Sequence, residues 1–76
     1  MPFIDVKVIE GVLSTEQKQA IARGFTDVFV EATSESLRGV TWVVVQDVAS
    51  GQWAIGGEAI TTDKVKGLIR GERVHA

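Results

Sequence analysis

Apolar residues recur with three different spacings along the chain, and each spacing predicts a different element. Pro2-Phe3-Ile4-Asp5-Val6-Lys7-Val8-Ile9 is nearly all β-favouring and closes on Glu10-Gly11, a turn signal, so residues 2–9 are predicted as the first strand. Ser14-Thr15-Glu16-Gln17 fits a capping box, in which a serine hydroxyl accepts from the amide three residues on and the glutamine side chain returns to the serine amide. Behind it Ile21, Phe25, Val28, Phe29 and Ala32 share one helical face, with Lys18, Arg23, Asp27 and Glu31 largely off it, which predicts a helix over 15–33. The hydroxyls of Thr33-Ser34-Glu35-Ser36 favour turns over helix interiors, so a short turn is expected to lead to Gly39. Val40-Thr41-Trp42-Val43-Val44-Val45-Gln46 is predicted as a second, buried strand. Ser50-Gly51 reads as a turn, Gln52-Trp53-Ala54-Ile55 as a short extended piece and Gly56-Gly57 as another turn. Thr61 or Thr62 can cap a last helix near 63–69 that Gly71 would end, with residues 72–76 expected to fray.

Neither long strand alternates cleanly between polar and apolar positions, the pattern expected of strands covered on both faces. A helix of about five turns between them is the crossover a parallel pair needs. The expected fold is therefore α/β (α+β), a single right-handed βαβ subunit with parallel strands and a short C-terminal helix, residues 1–76 forming one domain. One helix covers one sheet face, so a partner subunit is expected to cover or extend the other.

Composition sharpens that expectation. With 76 residues, 45% of them hydrophobic, the chain holds two tryptophans and three phenylalanines, more apolar material than one helix and a small sheet can hide. It has no cysteine, which excludes disulfides, and its only histidine, His75, has no companion for a ligand set, so neither metal nor cofactor is expected. Oligomerisation is the remaining staple. A net charge of −2 without a basic cluster argues against nucleic acid. The apolar runs are strand-sized and broken by charge, and the start of the chain lacks the features of a signal peptide, so no membrane partner and a cytoplasmic location are expected.

The candidate chemistry lies at Pro2. Behind the initiator methionine, a small residue such as proline generally permits removal of Met1, which would leave a free secondary amine. An α-amino group titrates at about 7.7–8.0, so modest desolvation brings it into the range of a general base at neutral pH. The ring also fixes where that nitrogen points. The alternative is a proline tolerated at the start of an edge strand.

Four segments in order, the N-terminal Pro2, Ile9-Glu10-Gly11, Thr15-Glu16-Gln17-Lys18 and Ile55-Gly56-Gly57-Glu58 after an aromatic, resemble the 4-oxalocrotonate tautomerase family from Pro2 to Glu58. The resemblance implies a βαβ subunit with a small hairpin, a hexamer assembled as a trimer of dimers, and a catalytic N-terminal proline moving protons in small unsaturated keto or enol acids. It also suggests that Trp53, where the family carries a phenylalanine beside the proline, walls the site and excludes water. A dry wall lowers the pKa of an amine, the direction a general base needs. Glu58 is implied as a structural part of the Gly-Gly-Glu turn.

Two departures bear on the substrate. The family places an arginine after the glycine that ends the first strand and another near the start of the second strand, where they bind a carboxylate and polarise a carbonyl. Here Val12 takes the first place and Trp42 or Thr41 the second. Without those cations a dicarboxylate loses charge-assisted partners and a developing enolate loses its stabiliser. Arg38 is the first candidate substitute, with Arg23 and Lys7 behind it. Trp42 and Trp53 could form an aromatic slot for a flatter, less charged small molecule, and the main chain of Ile9 offers polar contacts at a strand end. Two function classes follow. One is a proline-based tautomerase or isomerase, with hydratase or dehalogenase variants; the other is a catalytically weak subunit that keeps the fold for assembly or small-molecule binding.

Overall fold

Ser14 starts the long helix as the capping box requires. In the computed structural model, which describes residues 2–71, its hydroxyl accepts from the Gln17 amide at 3.1 Å and the Gln17 side chain accepts from the Ser14 amide at 2.8 Å. Residues 72–76, with the expected fraying and His75, lie outside the described residues, as does Met1. Helix α1 runs Thr15–Ala32 and stops one residue short of the predicted end. Thr33 closes it by donating its hydroxyl to the Phe29 carbonyl at 2.7 Å.

The segment predicted as a short turn is instead a 3₁₀ helix, Glu35–Val40. Its physical reason is a second cap: the Ser34 hydroxyl accepts from the Ser36 amide at 3.3 Å, so the same hydroxyls that end one helix begin another. Thr41 then closes this turn, donating its hydroxyl to the Leu37 carbonyl at 2.8 Å. The second strand starts later than predicted as a result, at Trp42.

Strands β1 (Phe3–Ile9) and β2 (Trp42–Val48) form a two-stranded parallel sheet. The Trp42 amide donates to the Pro2 carbonyl at 3.0 Å and the Glu10 amide donates to the Val48 carbonyl at 2.9 Å. Both bonds fit one uninterrupted parallel register in which Phe3 lies beside Trp42 and Ile9 beside Val48. Exposure alternates along β1, with Phe3, Asp5 and Lys7 exposed and Ile4, Val6 and Val8 half-buried. In the single chain one sheet face is open, as expected of one βαβ unit, and Phe3 and Trp42 are 68% and 67% exposed upon it.

The described residues fall into two compact units. One comprises residues up to Val6 together with Leu13–Gln46, the other Lys7–Val12 together with residues from Asp47 on. In the second unit, β3 (Trp53–Ile55) and β4 (Glu58–Ile60) form an antiparallel hairpin with Trp53 opposite Ile60. The turn needs positive φ at both central positions, and Gly56 and Gly57 supply it at 59° and 84°. Helix α2, Thr62–Ile69, follows with Thr61 as its cap, and ends before Gly71.

A polar clasp fastens the end of β1 to this hairpin and helix. Thr62 donates its hydroxyl to the Glu10 carbonyl at 2.7 Å, its amide donates to Ser50 Oγ at 2.9 Å, and the Ser50 amide donates to Glu10 Oε1 at 3.2 Å. Gly11 sits against it at φ 83°, where an added Cβ would lie 3.2 Å from Thr62 Cγ2, so the tight turn requires glycine twice over. Among the described residues only Ile9, Val30 and Ile60 are buried hydrophobics, a small core for so apolar a sequence.

Candidate active site

Pro2 is half-buried at the mouth of β1, and its carbonyl is held by the Trp42 amide. That bond fixes the backbone of Pro2 through the atom the ring does not involve. The same register brings Phe3 and Trp42 side by side, one residue along from the proline. Trp42 was expected on a buried strand, and in the single chain it is mostly exposed. Phe3 escaped the sequence reading because its value depends on which residue of β2 it meets; the parallel crossover was the signal that could have found it.

Arg38, the first candidate for a substrate cation, is engaged within its own unit. Its Nε donates to Glu35 Oε2 at 2.6 Å, its Nη2 reaches Glu35 Oε1 at 3.4 Å, and its Nη1 pairs with Asp27 Oδ1 at 2.7 Å. The fork geometry of the guanidinium suits the two carboxylate oxygens of Glu35, which leaves little of it for a ligand. An open groove of about 290 Å³ beside it is lined by Ala22, Arg23, Thr26, Asp27, Arg38 and Val43. Arg23 therefore lines the same groove as Arg38.

The hydrogen bond from Arg38 holds the Glu35 carboxyl below its ordinary value, and the same pairing raises Arg38. Because the folded-state value is lowered, the stabilisation is present above the ordinary carboxylate range and fades as pH falls through the depressed value. An Arg38→Gln variant is expected to move the Glu35 titration up towards its ordinary value, read by carboxyl-carbon NMR. An unmoved titration would show that the ion pair does not persist in solution.

In the second unit the clasp sets Ile9 and Trp53. Ile9 is 7% exposed, and because Glu10 turns its amide to β2, Ile9 turns its own amide and carbonyl to the opposite, open edge of β1. Val12, in the place of an arginine, is half-buried just past Gly11. Trp53 opens β3 with a half-buried ring whose Nε1 is covered and has no acceptor. Glu58 pairs with Lys64 at 3.4 Å while Lys64 also donates to the Ala59 carbonyl at 3.1 Å, contacts that brace the hairpin against α2. The expectation of Thr61 or Thr62 as a helix cap divides between the two: Thr61 caps, and Thr62 reaches Glu10. The clasp itself was missed because its three partners are 12 to 52 positions apart in sequence.

Among the described residues, no group of His, Cys, Asp and Glu side chains is placed to hold a metal ion, and no helix is long and apolar enough to cross a membrane.

A parallel βαβ unit with a glycine-turned hairpin, a C-terminal helix and a proline at the mouth of its first strand defines a tautomerase-like chain. Residues 2–63 match the family model described as tautomerase enzyme. A relative named "Probable tautomerase K2" from Dickeya dadantii is 30% identical over 61 residues, 80% of this chain and 90% of that protein. The crystal structure of DmpI from Helicobacter pylori superposes with a TM-score of 0.68 at 30% identity, covering 76% of this chain and 94% of that one. A structure from the 4-oxalocrotonate tautomerase isozymes of Methylibium petroleiphilum gives the same TM-score and identity over 84% of this chain and 97% of that one. The chain belongs to the tautomerase family.

Proposed function

We propose that this chain is a tautomerase or isomerase in which the N-terminal amine of Pro2, freed by removal of Met1, acts as the general base on a small unsaturated keto or enol acid. The observation that carries the reading is the Trp42 to Pro2 bond, which anchors the proline through its carbonyl and leaves the ring nitrogen to chemistry. A tautomerisation takes a proton from one position next to a carbonyl and returns it at another, and one amine of pKa near 7 can do both. Trp53 is the proposed wall of the substrate site, and Trp42 with Phe3 an aromatic surface for an unsaturated body. No cofactor is needed for such a proton transfer.

The proposed partners are copies of the same chain, in a homohexamer built as a trimer of dimers. Its support is the apolar surface that one chain leaves open: Phe3, Val28, Trp42, Ile55 and Ile69 are each more than half exposed, against three buried hydrophobics among the described residues. A second reading is a subunit that keeps the fold for assembly or small-molecule binding and turns over weakly. The engagement of Arg38 favours it, as do Val12 and Trp42 or Thr41 at the places where the resemblance implies arginines, because the cations that would stabilise an enolate are then missing.

The test compares chains whose intact mass shows Met1 removed with chains that retain it, each assayed with phenylenolpyruvate. The processed chain is expected to turn over and the retained form to be inactive, because its Pro2 nitrogen is an amide. Equal rates would exclude the amine as base. Light scattering on the same samples tests the assembly, and a stable monomer at micromolar concentration would contradict it.

A further inference from the structure

In a parallel ladder, a residue that turns its main chain to the next strand accepts from the residue after its neighbour there and donates to the residue before it. Pro2 shows the first half of that pattern, since its carbonyl accepts from the Trp42 amide at 3.0 Å. The second half falls to the Pro2 nitrogen and the Val40 carbonyl. While Met1 is attached, proline has no N–H to give, and removal of Met1 supplies one. We propose that in the processed chain the Pro2 amine donates to the Val40 carbonyl, which makes Val40 a positioning residue that sets the direction of the nitrogen lone pair; the proposal rests on the tautomerase reading above.

The backbone ahead of Trp42 is arranged for that bond. Thr41 is already extended, at φ −84° and ψ 123°, so ladder geometry begins one residue before β2. Its amide turns away from β1 and donates to the Arg38 carbonyl at 3.3 Å, whereas the next amide, that of Trp42, turns to Pro2. The peptide between Val40 and Thr41 is trans, so its carbonyl points opposite to the Thr41 amide, to the side where Pro2 lies. The Thr41 hydroxyl, donating to the Leu37 carbonyl at 2.8 Å, holds this residue at a second point. A carbonyl oxygen has two lone pairs, so accepting from Pro2 displaces no other donor. Pro2, Val40, Thr41 and Trp42 all belong to one compact unit.

A free proline amine carries one N–H and one lone pair, and inversion at nitrogen exchanges their directions. Holding the N–H on Val40 leaves the lone pair in the other position. The proton taken from the substrate forms a second N–H there, while the electron pair of the bond it leaves stays in the substrate. That same proton is the one returned, and the first N–H never leaves Val40. An ammonium donates more strongly than a neutral amine, so the bond tightens as the proton arrives and acts on kcat.

The bond is read by NMR in ¹³C,¹⁵N-labelled chain whose intact mass shows Met1 removed. As pH is varied, the Val40 carbonyl ¹³C resonance is expected to move with the same midpoint as the Pro2 ¹⁵N resonance. A Val40 carbonyl that stays in place while Pro2 titrates overturns the proposal. So does a movement shared equally by the Leu37 and Thr41 carbonyls, which reports a change of fold and not one bond. Kinetics with phenylenolpyruvate test the role, using a synthetic chain in which sulfur, a weaker acceptor, replaces the Val40 carbonyl oxygen. Its kcat is expected to fall on the order of 10-fold, the scale of a hydrogen bond to a charged group. The acceptor favours the charged amine, so weakening it lowers the amine's pKa and moves the rising limb of kcat/KM to lower pH. An unchanged rate and pH profile overturn the proposal. Should the sulfur chain fold poorly, the titration of the unmodified chain decides. The titration needs no turnover, which separates the two readings: a Val40 carbonyl that follows Pro2 in an inactive chain supports the bond and sinks the tautomerase mechanism, whereas an active chain with an unmoved Val40 sinks only this proposal.

Discussion

A Pro2→Ala chain, processed to the same N-terminus, is expected to lose about 10²-fold in kcat with phenylenolpyruvate, the low end of the range for removing a general base. The low end applies because the variant keeps an α-amino group of similar basicity. What it loses is the ring, which fixes the nitrogen's direction and makes the amine secondary. The carbonyl that accepts from the Trp42 amide survives the change, so the strand pairing that anchors this residue should persist and the loss should be one of chemistry. The pH profile carries the sign: the base works neutral, so kcat/KM should rise with pH through the amine's pKa in the native chain. In the variant that limb should flatten or shift. Equal rates at every pH would remove Pro2 from the mechanism. A variant whose circular dichroism or oligomer mass has also changed would have to be compared at matched folded concentration before the kinetic loss is assigned to the base.

How much of this was legible in the sequence follows from the range of each interaction. The capping box of α1 and the Gly56-Gly57 turn rest on residues within three positions of each other, and both were readable as spacing. The parallel pairing was readable because a long helix between two apolar runs allows few other connections. The 3₁₀ helix was not, since Thr33-Ser34-Glu35-Ser36 signals a break in helix equally well whether a turn or a new cap follows. Trp42 illustrates a different limit. Its neighbours Val43, Val44 and Val45 are half-buried while it is mostly exposed, and hydropathy alone cannot tell a residue that faces a core from one that faces an unoccupied sheet surface. For the candidate site, Pro2, Trp53 and Ile9 are proposals that residue type and position suggest from sequence alone, whereas the engagement of Arg38 could not be read there. Its partner Asp27 lies eleven positions back on α1, and only the fold shows that two carboxylates reach one guanidinium. The bare Nε1 of Trp53 is likewise a property of surroundings and not of residue type.

Ile60→Ala is expected to cost about 2–5 kcal/mol, the range for removing most of a buried aliphatic side chain. Ile60 is 6% exposed, and it is one of only three buried hydrophobics among the described residues, so little remains to absorb the cavity. A domain of this size has stability near the bottom of the usual 5–15 kcal/mol, and a loss on that scale approaches the whole of it. The damage should also reach the candidate site. Ile60 stands opposite Trp53 in the hairpin, where cross-strand neighbours present their side chains to the same face, and its carbonyl accepts from the Gly51 amide at 3.2 Å at the base of β3. Shortening the side chain therefore loosens the packing beside the indole while leaving that backbone bond available. Urea unfolding should show a lower midpoint, and Trp53 emission, isolated in a Trp42→Phe background, should shift to the red at urea concentrations where the parent is still folded. If the chains assemble as proposed, the deficit should shrink as protein concentration rises, because association stabilises the folded form by mass action. A midpoint unchanged at every concentration would mean that the second unit is held by its Glu10, Ser50 and Thr62 clasp and hardly by Ile60.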